Sequence, residues 1–97
     1  LSYTLHREAE VDLFDAVRFY RREAGRAVAN RLLDEFERVA ELLVSNPNLG
    51  TATGDQRHAF PLHSFPYSII YITAEGGVRI LVVRHQHRDP EYGERRR

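Results

Sequence analysis

The sequence predicts an α+β fold: a short N-terminal strand, an antiparallel helical hairpin, then an antiparallel three-stranded meander. Three observations carry that reading. Apolar residues recur at helical spacing in two successive stripes between residues 9 and 43. The link between the stripes, around Gly25, is too short for anything but a hairpin. After residue 56 the pattern changes to short runs of β-branched and aromatic residues separated by turn formers.

Leu1 to Leu5 alternates roughly and reads as an edge strand. Ala9, Leu13, Ala16, Val17, Tyr20 and Ala24 then form one continuous apolar stripe. Glu8, Glu10 and Asp12 near its start, and Arg21 and Arg22 near its end, suit the helix dipole. Gly25 supplies the stop. A second helix is expected from about Ala27 to Val44, with Val28, Leu32, Phe36, Val39 and Leu43 as its buried stripe. The turn formers and Pro47 in Ser45–Gly50 end it.

Thr51 to Gln56 is small and polar and reads as a loop. Arg57–His63 reads as a strand, with Pro61 confining it to an edge or a bulge. Phe65-Pro66 makes a turn before the strand Tyr67–Thr73, and Ala74–Gly77 makes a hairpin turn before the last strand, Val78–His85. Tyr67 and Tyr71 share a strand face and read as packing residues. The helical stripes need a partner, and one face of the sheet is the surface large enough to serve. That leaves the opposite sheet face and the C-terminal tail open to a ligand.

The length of 97 residues suits one domain: a hairpin at about 7–45, a sheet at about 57–87 and a tail at 88–97. The absence of cysteine excludes disulfides and thiolate metal sites and fits a cytoplasmic setting. No apolar stretch approaches the roughly 20 residues that span a bilayer, and the opening LSYTLHREAE lacks the pattern of a signal peptide. The chain opens on Leu1 rather than on an initiator methionine.

The formal net charge is zero, yet it is unevenly spread. Residues 1–50 hold 7 Arg against 9 acidic residues, and residues 51–97 hold 7 against 5. Every basic residue other than histidine is arginine, which suits bidentate contact with phosphate or carboxylate and equally follows from compositional bias.

The stretch Arg84–Gly93, RHQHRDPEYG, concentrates the candidate chemistry. His85 and His87 with Asp89 have the donor types of a divalent-metal site, but spacing fixes no third ligand, and no metal is expected. The two imidazoles also qualify as acid–base groups. Arg84 and Arg88 read either as surface ion-pair partners of Asp89 and Glu91 or as contacts to an anionic target. Arg57, at a strand start, is a further candidate anion contact. Arg95–Arg97 reads as a solvated, frayed end.

Several stretches, taken together and in order, resemble the RelE/ParE superfamily, the toxins of type II toxin–antitoxin modules, also called plasmid stabilisation proteins. They are Tyr3-Thr4-Leu5 with Glu8–Leu13, Asn46–Gly50, Phe65–Tyr71 and Ile80–Pro90. The resemblance spans nearly the whole chain and implies the same fold as periodicity does. It also implies a cognate antitoxin whose C-terminal segment folds as it wraps the toxin, its helix packing near the hairpin. No cofactor and no membrane association are expected.

Two activities occur among proteins this chain resembles. RelE-like members cut messenger RNA on the ribosome, which needs a base, cations and an acid around the scissile phosphate. Carried over by position, Arg88 and, across a small alignment gap, Tyr92 fill the places of the arginine and tyrosine of that pattern's tail. Ser68 stands where its arginine is expected after the strand tyrosine, and Ala59 and Pro61 stand near its lysines. A nuclease here would rely on Arg57 or Arg84 for charge and on His85 or His87 as acid or base. ParE-like members poison DNA gyrase without such a set, and their tails often carry an arginine-histidine-glutamine run like Arg84-His85-Gln86. The ParE-like branch is therefore favoured, with Arg57, Arg84 and Arg88 as target contacts. The alternatives are a ribosome-dependent nuclease using Arg84, His85, His87, Arg88 and Tyr92, and a non-toxic member acting only in an antitoxin complex.

Overall fold

The computed structural model describes residues 2–97, so Leu1, the first residue of the expected opening strand, lies outside the described residues. The elements are β1 (Ser2–Leu5), α1 (Arg7–Ala24), α2 (Arg26–Ser45), β2 (Thr51–Gly54), β3 (Arg57–Pro61), β4 (Tyr67–Ala74) and β5 (Gly77–His85). The strands form one mixed sheet in the order β1-β5-β4-β3-β2, with β1 parallel to β5 and the other pairs antiparallel. Among the described residues, no helix is long and apolar enough to cross a membrane.

Both helices begin and end where local chemistry directs. The His6 ring nitrogen Nδ1 accepts the Glu8 backbone N–H at 3.0 Å and so caps α1. Gly25, at φ 95, ends α1 and begins α2, a conformation that costs a residue without Cβ little. Leu32, Phe36, Val39 and Leu43 of α2 are buried, in one cluster with Ile69, Tyr71, Val78 and Ile80 of the sheet. At about 1.5–3 kcal/mol per fully buried large side chain, this apolar layer is the main source of stability.

The expected loop at residues 51–56 is instead the edge strand β2 and its turn. Asp55 and Gln56 both adopt positive φ, 52 and 63, as the primed turn of a tight hairpin requires. All four β2 residues are exposed, so neither face of the strand imposes the alternation that would reveal it in sequence. The next strand stops at Pro61 rather than His63. Beyond it the buried Glu35 carboxylate accepts the backbone N–H groups of His63 and Ser64 and ties that loop to α2.

The second face of the sheet is not open in the way periodicity implies. A bulge sets Ile70 opposite Val82 but Tyr71 opposite Ile80, leaving Leu81 as the extra residue. Ile80 and Val83 consequently join the helix-side core, while Leu81 and Val82 form a second cluster with Ile70. The tail folds back through successive turns, and Tyr92 packs on this cluster. Gly93 makes the approach possible: its φ is 76, and a Cβ there would lie 2.5 Å from a Val82 methyl carbon.

Candidate functional site

The tail is held by a buried polar network anchored on α1. Asp12 lies on the inward stripe of that helix between Ala9 and Ala16, and all three are buried. Its carboxylate accepts from Arg96 Nη1 at 2.6 Å, from the Tyr92 hydroxyl at 2.5 Å and from the Val83 backbone N–H at 3.1 Å. Arg96 Nη1 also donates to the Leu81 carbonyl at 3.0 Å. β1 pairs with β5 only as far as Ile80, so Asp12 and Arg96 satisfy backbone groups just beyond the end of that pairing.

Arg57 holds the tail from the other side. Its Nη2 donates to the carbonyls of Gly93, Glu94 and Arg96 at 3.1, 2.7 and 2.5 Å. Burial and the nearby Arg97 guanidinium lower the Arg57 pKa from its ordinary value. Burial also opposes the charged form of Arg96, but Asp12 and Tyr92 outweigh it and raise the pKa overall. The Tyr92 phenol is pushed up by burial first and by its hydrogen bond to Asp12 second.

These contacts correct the expectation for Arg95–Arg97. Arg95 and Arg97 are exposed, but Arg96 is 9% exposed and paired to a carboxylate that helix periodicity turns inward. Asp12 and Arg96 were both missed as functional candidates. The available signal was Asp12 itself: a carboxylate at i+3 from Ala9 and i−4 from Ala16 sits on the buried stripe and needs a partner there.

The remaining candidates gather at the end of β5 and the turn after it. Arg84 lies opposite Ser68 on β4, and its Nη1 donates to the Pro90 carbonyl at 3.1 Å. The His85 Nδ1 accepts the His87 backbone N–H at 3.0 Å, and the two rings lie 5.4 Å apart. Tyr67 stands edge-on to His85 at 5.1 Å. Arg88 is exposed, with its guanidinium carbon 4.2 Å from the Tyr92 ring centroid. His85, His87 and Arg88 border a shallow groove completed by Phe19, Tyr20 and Tyr67. Asp89 instead caps the turn, its Oδ1 accepting the Glu91 N–H at 2.9 Å. Among the described residues, no group of three potential metal ligands comes together.

The structure thus divides the sequence candidates. His85, His87 and Arg88 share one rim, Arg84 lines a separate cavity with Arg57 and Pro90, and Arg57 and the Tyr92 hydroxyl are committed to internal partners.

The helical hairpin over one face of the sheet gives this chain a fold similar to that of a solved structure of 19% sequence identity. That structure, a chromosomal ParDE TA system from P. aeruginosa, superposes with a TM-score of 0.75 over 88% of this chain and 95% of its own. No curated protein sequence gives a significant match. The family model of the ParE toxin of the type II toxin–antitoxin system, parDE, matches residues 3–90. The chain belongs to that family.

Proposed function

We propose that the chain is the cytoplasmic toxin of its module, that it acts on DNA gyrase by binding alone, and that a cognate antitoxin neutralises it. The observation that carries this reading is the commitment of Tyr92. Its hydroxyl, which stands for the tail tyrosine of the nuclease pattern, is hydrogen-bonded to Asp12 and its pKa is raised by burial. Ser68 supplies no cation beside Arg84, and Arg57 is turned to the tail, with its Nη2 donating to tail carbonyls. What stays accessible is Arg88 with His87, a surface suited to an anionic partner rather than a complete cleavage site.

Antitoxin binding is supported by the outer face of α1. Val11 is 53% exposed and Phe14 is 60% exposed, and with Leu33 they line an apolar groove. Arg7 and Glu10 border it, and the Arg18 guanidinium carbon lies 5.5 Å from the Phe14 ring centroid. This surface suits the apolar face of an amphipathic antitoxin segment.

Induction without antitoxin tests the reading. Filamentation and a DNA-damage response with messages left intact are expected. Rapid, codon-aligned cutting of messenger RNA would overturn it in favour of the ribosome-dependent nuclease, with His85 and His87 as the acid–base pair. Undiminished growth would leave only a role in the antitoxin complex.

A further inference from the structure

Arg88 carries a charge that nothing on its own turn orients by hydrogen bond; its guanidinium carbon instead lies 4.2 Å from the centre of the Tyr92 ring. That ring is fixed at its far end, where the hydroxyl donates to Asp12 at 2.5 Å. Arg96 holds the same carboxylate at 2.6 Å and brings its own guanidinium carbon to 4.8 Å from the Tyr92 ring centroid. Asp12 is a buried residue of α1 rather than part of the tail, so the chain Asp12–Tyr92–Arg88 runs from a rigid helix to an exposed cation.

We infer that Asp12 and Tyr92 are positioning residues: the α1 carboxylate fixes the Tyr92 ring, and the ring fixes the Arg88 guanidinium in the orientation that meets the target. The inference rests on the reading of Arg88 as a target contact. An unrestrained arginine loses rotamer freedom when it binds, whereas one already stacked on a fixed ring loses less. Tyr92 therefore contributes to binding through Arg88 without touching the target.

A double-mutant cycle separates this from a purely structural role. The assay is the toxin concentration giving half-maximal accumulation of cleaved plasmid DNA by purified gyrase. Antitoxin affinity and the unfolding midpoint serve as controls for folding. Arg88→Ala is expected to raise that concentration about tenfold or more, the worth of one charge-assisted contact. Tyr92→Leu should raise it comparably, and Arg88→Ala with Tyr92→Leu should be no worse than Arg88→Ala alone. Tyr92→Phe, which keeps the ring and loses only the hydroxyl, should fall between wild type and Tyr92→Leu. The ring-current shift of the Arg88 side-chain protons should survive in Tyr92→Phe and vanish in Tyr92→Leu.

Full additivity of the two substitutions would overturn the inference, as would a silent Tyr92→Leu beside a damaging Arg88→Ala. A silent Arg88→Ala would instead remove the target reading beneath it. In that case the proton shifts still report whether Tyr92 orients Arg88.

Discussion

The two faces of the sheet are covered by different physics. Over one face the helices lay down Leu32, Phe36, Leu43 and their neighbours, an apolar layer with many interchangeable contacts. Over the other, a tail of turns meets a smaller cluster centred on Ile70, Leu81 and Val82, and is secured by Asp12, Arg57, Tyr92 and Arg96. Apolar packing spreads its contribution over area and tolerates modest changes of shape. A buried polar network concentrates it in a few atoms, and removing one partner strands the others away from water. The helix face should therefore determine whether the protein folds, and the tail face whether its exposed cations are held in place.

The largest effect is expected on the helix face. Phe36→Ala should cost about 3–5 kcal/mol in denaturant unfolding and lower the stability of the whole domain, because the ring is 1% exposed and leaves a cavity. Asp12→Ala should come next, at about 3 kcal/mol, since it leaves Arg96 and the Val83 N–H without their partner. Its signature should differ from that of Phe36→Ala. Amide hydrogen exchange should accelerate first in residues 86–97, where loss of the anchor frees the tail. Equal acceleration along β4 and β5 would erase the distinction between the faces.

Smaller changes sharpen it. Gly93→Ala should cost about 1–3 kcal/mol, because its φ is 76 and its Cβ would press on Val82. The phenols supply a pH test. Tyr92 and Tyr71 both have pKa values raised above 10.0 by burial, the first on the tail face and the second in the helix-side core. A raised folded-state pKa means that the neutral form is favoured by folding. The associated stability is complete below the unfolded value and is lost as pH rises through the folded one. Spectrophotometric titration should show delayed tyrosinate formation, and Tyr92→Phe should remove one delayed group. Arg95→Ala, at an exposed tail position, should change stability by no more than about 0.5 kcal/mol. Arg96→Ala cannot serve as the matching surface control, because that side chain is buried.

The same contrast explains how much the sequence discloses. The helices are legible because burial on one face forces Leu32, Phe36, Val39 and Leu43 into a single period, and β4 and β5 because both are rich in β-branched residues. β2 is hidden because both of its faces meet solvent. The bulge at Leu81 is hidden because a run of apolar residues reads alike whichever face each one takes. Arg84, His85, His87 and Arg88 announce themselves by type and clustering. The buried polar network does not, since Asp12 and Arg96 meet across 84 positions of chain. Only the inward placement of Asp12 on its helix hints that a distant cation must exist.

The most direct test of the central claim, that this toxin acts by binding through a held Arg88, uses purified components. Gyrase, supercoiled plasmid DNA and ATP are incubated with wild-type protein or with Arg88→Ala, and cleaved DNA is quantified. The account predicts cleaved complexes with the wild type and about tenfold less potency with the variant. No cleaved DNA at any wild-type concentration, with messenger RNA cut on added ribosomes, would contradict it.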